Sequence, residues 1–320
     1  MKGVDLVVVG GDSYEAEALM SALAESDLPL REIHVLGARE DEAARVDFGG
    51  RLLKPKPIKG FDFTQVGLAL FVGDAPADAC TPSDALKAGA MVLDLSGGRW
   101  GSRESRTVMP GRIPRPDERA VAMALPTPGL AQVYTVTRPF LADAEGTVNG
   151  FLVEPVSRLG KPGIEQLARQ TARVLNMQPV ENSLMPAQIA FNTLPIPGAA
   201  ADARDQKGWR ELVGESGGGV SLDRVMAPVF FGTTACVRLR ISPSVETGNA
   251  YAADPRVELM DDSQPPPSPV GDAAGQDRVY VHLERVERAG FSELTIWSVA
   301  DNLHWAIAAN TVDVLSEILI

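Results

Sequence analysis

The chain has 320 residues, 45% of them hydrophobic, and a formal net charge of −12. That length fits two domains rather than one, and the apolar share supports packed cores and argues against disorder. An acidic surface repels a phosphate backbone, which disfavours general nucleic-acid binding. Two cysteines, Cys80 and Cys236, lie far apart with no CxxC spacing, so neither a disulfide framework nor a zinc site is expected. No apolar run approaches the roughly 20 residues of a membrane span. The opening MKGVDLVVVGG enters a strand pattern without a leader. The expectation is a soluble cytoplasmic protein with no membrane partner.

In chain order, residues 4–11 (VDLVVVGG) form an apolar run ending in glycine, and Ala16, Leu19, Met20 and Leu23 then follow at helical spacing. Residues 31–38, 67–73 and 91–96 read as further strands, and the segment SDALKAGA reads as a helix between the last two. Strands apolar throughout and alternating with helices predict a parallel sheet covered on both faces, a Rossmann-like α/β domain. The second half reads differently. TVNGFLVEPVSR and ACVRLRIS read as long strands. DRVYVHLERVE alternates strictly, with Val279, Val281 and Leu283 on one side and Tyr280, His282 and Glu284 on the other. This is a sheet with one wet or partner-facing side. SQPPPSPVGDAAG reads as a mobile loop, and NLHWAIAANTVDVLSEILI as an amphipathic terminal helix.

The segments IAFNTLPIPG, PVFFG, DRVYVHLER and LTIWSVADNLHWAIAANTVDVLSEILI resemble aspartate-semialdehyde dehydrogenases, and within them the Usg-type homologues. The tail is the most specific match, because the family ends in W-x-x-x-D-N-L-x-x-G-A-A-x-N-A. The resemblance implies a Rossmann-like domain over 1–125, an α+β dimerisation domain with a mixed sheet over 126–300, and a last helix, 301–320, that rejoins the first domain. It also implies a homodimer. True members reduce an aspartyl phosphate with NADPH through a cysteine thioester.

Carried over residue by residue, the family's N-P-N-C motif falls on Leu125, Pro126, Thr127 and Pro128, so Pro128 takes the place of the nucleophile. Proline has no nucleophilic atom. The acyl-orienting glutamine falls on Glu154. The arginine and histidine of R-x-P-x-x-x-G-H fall on Met226 and Thr233. Methionine cannot fork onto a carboxylate, and a threonine hydroxyl does not titrate near neutrality. Cys236, three residues past Thr233, reads as a small buried hydrophobe.

The family fingerprint G-A-T-G-x-V-G meets Gly10, Gly11, Asp12, Ser13, Tyr14, Glu15 and Ala16. Gly10 suits the tight turn, while Ser13 replaces the glycine that admits the pyrophosphate. Asp12 and Glu15 have capping-box spacing, so a capped helix is preferred over a dinucleotide site. After the second strand, Arg39 is the one residue suited to a ribose phosphate. Glu40, Asp41 and Glu42 oppose it. No cofactor is expected; NAD(P) is implied by the resemblance alone.

Arg99 is a loose match to a family phosphate-binding arginine, and Lys161 echoes a family G-K; each is a weak substrate or anion candidate. His34, His282 and His304 read as structural and give no metal spacing. Asp301 reads as the cap of the last helix. Trp297, Phe230, Phe231 and Trp305 read as core or dimer interface. The expectation is a pseudoenzyme: a dimeric scaffold or small-molecule-binding protein. Two alternatives stay open, an active NAD(P)-dependent semialdehyde dehydrogenase, and another reaction in the same cleft using Glu154, Thr233 or Arg99.

Overall fold

The computed structural model describes residues 3–37, 45–73, 81–97, 100, 105–114, 122–197, 199–214, 218–261 and 263–320. The chain divides into two compact units: residues up to Thr127 together with Ile307–Ile320, and Pro128–Ala306.

The first unit contains strands β1 (Val4–Val9), β2 (Leu30–Gly37), β3 (Val46–Phe48), β4 (Arg51–Leu53), β5 (Lys56–Pro57), β6 (Leu68–Phe71), β7 (Met91–Asp94), β8 (Arg106–Thr107) and β9 (Met123–Ala124). Helices α1 (Tyr14–Glu25) and α2 (Pro82–Lys87) lie between them. Seven strands form one sheet in the order β5-β2-β1-β6-β7-β9-β8, with every neighbouring pair parallel. The chain reverses direction across the sheet at β1, as a Rossmann-like fold requires. Leu6, Val7, Val8 and Val9 are all fully buried, because a doubly covered strand must be apolar on both sides. All four predicted core positions of α1, Ala16, Leu19, Met20 and Leu23, are buried.

The cap of α1 differs from expectation. Ser13, not Asp12, is the N-cap: its hydroxyl accepts from the Ala16 amide at 3.2 Å and donates to the Gly10 carbonyl at 2.9 Å. The amides of Gly10 and Gly11 both bond to the Leu36 carbonyl, which carries the turn one residue further before the helix starts.

The second unit holds α3 (Pro128–Thr137), β10 (Val148–Glu154), α4 (Gly160–Leu175), β11 (Leu194–Pro195), α5 (Ala199–Val213), β12 (Val220–Met226), β13 (Thr233–Ile241), β14 (Val257–Leu259), β15 (Val279–Arg288) and β16 (Phe291–Ala300). Its sheet runs β11-β12-β10-β13-β16-β15-β14. The pairs β10/β12 and β14/β15 are parallel and the others antiparallel, so the sheet is mixed, as expected. Along β13 the residues alternate between buried and more exposed over nine positions.

Three expectations are corrected here. The long strand through residue 158 stops at Glu154, because Pro155 has no amide to donate to a ladder; Val156–Leu159 is a 3₁₀ turn. The proline-rich segment carries a π-helical turn, Pro269–Ala273, capped by Ser268, whose hydroxyl accepts from the Gly271 amide at 3.1 Å. The terminal helix opens as a π-helical turn, His304–Ala309, before α6 (Asn310–Leu319). Within the first unit, α6 buries Val314 and Leu315, and Glu317 accepts from the Gly111 amide at 2.6 Å.

Helix α4 ends in a paired turn: the Gln178 amide bonds to the Arg173 carbonyl and the Met177 amide to the Val174 carbonyl. Such a turn needs a left-handed residue, and Met177 supplies it at φ 56° while 96% exposed. A side chain there costs roughly 1 kcal/mol relative to glycine. Met177→Gly is expected to raise unfolding stability by about 0.5–1 kcal/mol, read from denaturant midpoints at constant slope. A loss of stability would mean that the methionine makes a contact that outweighs its backbone strain.

Candidate functional site

The first turn of α3 is the centre of the site in the second unit. Pro128 is its first residue, a position where a missing amide hydrogen costs nothing. Gly129 follows it against β10: a Cβ there would lie 2.5 Å from Leu152 Cδ1 and 3.7 Å from Glu154 Oε1. The Glu154 carboxylate therefore lies beside the positive end of the α3 dipole, where an anion is favoured.

Glu154 is 7% exposed and belongs to a chain of alternating charge. It pairs with Arg158, and Arg224 Nε lies 3.2 Å from its other oxygen. Arg224 in turn pairs with Asp205 on α5 and donates to the Leu222 carbonyl at 3.1 Å. The side chains of Arg224, Asp205 and Glu154 are all more than nine-tenths buried. Burial pushes the Glu154 carboxyl above its usual range, against the pull of Arg158 and Arg224. Arg224, Asp205 and Arg158 had not been singled out in the sequence. The signal for Arg224 was its inward phase in VSLDRVM, shared with Val220, Leu222 and Met226. For Asp205 there was none.

Met226 sits opposite Glu154 in the β10/β12 register and opposite Leu194 on β11. Its side chain packs with Val156, Leu167, Met185, Ile189 and Ala190 in a dry cluster. Thr233 opens β13 and is buried; its carbonyl accepts from Gln132 Nε2 at 3.3 Å. Gln132 lies one turn along α3 from Pro128 and also donates to Ser298 Oγ at 3.0 Å, while its Oε1 finds no partner among the described residues. Glu154 and Thr233 thus lie against the first turns of α3, which Pro128 opens, and Met226 stands beside Glu154 on β12.

Cys236 does not join them. It is three residues beyond Thr233 on β13, so its side chain leaves the opposite face of the sheet. Burial raises its thiol, the reverse of what a nucleophile needs. It is half-exposed rather than fully buried. His282 shares that opposite face, one strand beyond Trp297 in the same row. Trp305 is buried in the core, whereas Trp297 and Phe230 remain partly exposed. Lys161 is exposed in the first turn of α4.

Asp301 caps the terminal segment as expected, accepting from the Leu303 and His304 amides at 2.7 and 2.8 Å and from the Gly275 amide at 2.7 Å. Burial would raise its carboxyl, but these bonds and His304 hold it below the usual range. The bond to Asp301 raises the His304 imidazole, with burial opposing. A raised folded value means stabilisation that is complete below the unfolded value of about 6.5 and lost as pH rises through the folded one. His304→Gln is therefore expected to lower the melting temperature more at about pH 5.5 than at about pH 9. Equal losses at both would show that the ring acts by packing alone.

In the first unit, the turn after β1 is held tightly. A Cβ on Gly10, at φ 95°, would lie 2.2 Å from the Val72 carbonyl oxygen. That oxygen accepts from the Trp100 indole at 3.0 Å, and Trp100 meets Phe71 edge-on at 5.1 Å. A Cβ on Gly73 would lie 3.1 Å from the Ser13 side chain. Arg39, Glu40, Asp41, Glu42, Cys80 and Arg99 lie outside the described residues. Among the described residues no group of three or more His, Cys, Asp or Glu side chains is arranged to hold a metal ion, and no helix is long and apolar enough to cross a membrane.

Residues 147–305 match the semialdehyde dehydrogenase dimerisation domain. A USG-1 protein homolog of Pseudomonas aeruginosa is 33% identical, covering 99% of this chain and 98% of its own. The chain belongs to the aspartate-semialdehyde dehydrogenase family. Aspartate-semialdehyde dehydrogenase 2 of Vibrio cholerae is 26% identical over 99% of the chain and 97% of its own. The solved structure of a probable aspartate-semialdehyde dehydrogenase from Pseudomonas aeruginosa superposes with a TM-score of 0.88 at 31% identity, covering 99% of this chain and 98% of that one. An aspartate-semialdehyde dehydrogenase of Candida albicans, solved with NADP, shares the fold at a TM-score of 0.65 and 13% identity, covering 99% of this chain and 98% of that one. Within this aspartate-semialdehyde dehydrogenase-family chain, the charge chain around Glu154 lies beside the head of α3, while Met226, next to Glu154 on β12, is committed to its own dry cluster.

Proposed function

We propose that this protein is a catalytically degenerate member of the aspartate-semialdehyde dehydrogenase family, acting as a dimeric scaffold in the cytoplasm. One observation carries the reading. The head of α3 presents Pro128 and Gly129, without a nucleophilic atom, while Cys236 leaves the other face of the sheet with its thiol raised.

The neighbouring positions agree. Met226 is committed to a dry cluster and cannot grip a carboxylate. Glu154 is neutralised by two guanidiniums rather than left to orient an acyl group. Thr233 has no titratable group to serve as a base. The dinucleotide turn fits its nucleotide poorly. The Ser13 hydroxyl already occupies the Ala16 amide, one of the helix-start N–H groups that a pyrophosphate would use. No step is therefore assigned to NADP. The match to a dimerisation domain over the second unit supports a homodimer.

Intact-mass spectrometry after incubation with an aspartyl phosphate tests the reading. The mass is expected to stay unchanged. An acyl adduct that disappears when Cys80 or Cys236 is replaced by serine would overturn it.

A further inference from the structure

The edge of the first unit's sheet carries a charge opposite to that of the rest of the chain. Residues 48–61 hold Arg51, Lys54, Lys56 and Lys59 and no carboxylate, a local charge of +4 on a protein whose net charge is −12. All four residues are exposed, and none forms an ion pair among the described residues. By contrast, Arg31 pairs with Asp5, and Lys87 lies 4.0 Å from Asp84.

The fold holds this run in place. β3 and β4 form a hairpin against α1: Val46 is buried, and a Cβ on Gly49 would lie 3.5 Å from Ala24 Cβ. The register pairs Val46 with Leu53 and Asp47 with Leu52, so Leu52 leaves the face opposite Val46. It is 65% exposed. β5 follows as the outermost strand of the seven-stranded sheet, beside β2, and Ile58 anchors the chain after it in the core. Lys54, Lys56 and Lys59 therefore stand on an ordered edge, close in sequence to a protruding leucine.

A run of cations suits nucleic acid, an anionic bilayer or an acidic protein segment. An extended polyanion meets the whole molecule, and the chain outside this run carries −16. A short acidic segment lies within about one Debye length, roughly 8 Å at physiological salt, so the local charge governs it. Leu52 adds an apolar contact for which a phosphate backbone has no use. Pairing as an added strand is disfavoured, because Pro55 and Pro57 have no amide to donate at this edge. Recognition must run through side chains.

We propose that the β4–β5 edge, residues 51–59, docks an acidic segment of a different protein, with carboxylates on Arg51, Lys54, Lys56 and Lys59 and an apolar side chain on Leu52. The surface belongs to the first unit and uses none of Pro128, Glu154, Met226 or Thr233, so it stands or falls separately from the loss of catalysis.

Fluorescence anisotropy of the full chain with a labelled glutamate-rich peptide carrying one central leucine tests this, at about 0.15 M salt. Saturable binding is expected, weakened about tenfold or more by Lys54→Glu combined with Lys56→Glu and about threefold by Leu52→Ser. Lys87→Glu, at a paired cation, is expected to stay within about twofold of the parent. Single-stranded DNA of equal charge, and phosphatidylcholine vesicles with about 30% phosphatidylserine, are expected to bind more weakly than the peptide. Circular dichroism melts confirm that each variant is folded. No binding of the peptide, binding indifferent to the double reversal or to Leu52→Ser, or tighter binding of the DNA or the vesicles would overturn the proposal.

Discussion

Asp205→Ala is expected to cost about 3–5 kcal/mol of unfolding stability, the usual effect of removing one partner from a buried ion pair. Asp205 and Arg224 have side chains only 2% and 3% exposed, so water cannot replace the lost carboxylate. The Arg224 guanidinium would keep Glu154 and the Leu222 carbonyl, but Glu154 is already shared with Arg158. Denaturant unfolding at unchanged slope reads the loss. A second substitution separates charge from volume: Arg224→Met added to Asp205→Ala removes the stranded cation and is expected to recover a large part of it. A cost under about 1 kcal/mol for the single variant would place the pair in the class of solvated surface bridges.

Gly10→Ala is expected to cost about 3 kcal/mol. Two effects add: an alanine at φ 95°, and a Cβ placed 2.2 Å from the Val72 oxygen. Gly50 isolates the first effect, because it has φ 86° with nothing within 4 Å of its Cβ position. Gly50→Ala should cost only about 1 kcal/mol. The difference measures how closely the ends of β1 and β6 are pinned without any bound nucleotide. Equal costs would mean that the two strand ends separate easily.

The Rossmann-like unit was legible because its strands are buried on both faces, which forces unbroken apolar runs such as LVVV at β1 and LALF at β6. The open side of the second sheet was legible in the strict alternation of β15. Local punctuation was harder. Asp12 and Glu15 had the right spacing for a capping box, but two amides shared by the Leu36 carbonyl moved the cap to Ser13. Pro155 marked the end of β10, yet apolar residues on both sides of it resembled one continuous strand.

At the candidate site, Pro128, Glu154, Met226 and Thr233 came into view through resemblance, residue by residue. What surrounds Glu154 did not. Arg224 shares the inward phase of Val220, Leu222 and Met226, but nothing local names its partner, and only the fold brings Asp205 of α5 to it. Long-range ion pairs leave no spacing in a sequence. That is why the substitution of an acyl-orienting glutamine could be read as a loss, whereas the network that replaces it showed only in the phase of Arg224.

Loss of the thioester chemistry is tested most directly by following nucleotide reduction with aspartate semialdehyde and phosphate, with NADP and then NAD, beside aspartate-semialdehyde dehydrogenase 2 of Vibrio cholerae. No rate above the blank is expected from this protein, whether or not Cys80 and Cys236 are replaced by serine. A saturable, phosphate-dependent rate that vanishes in the serine variant would contradict it.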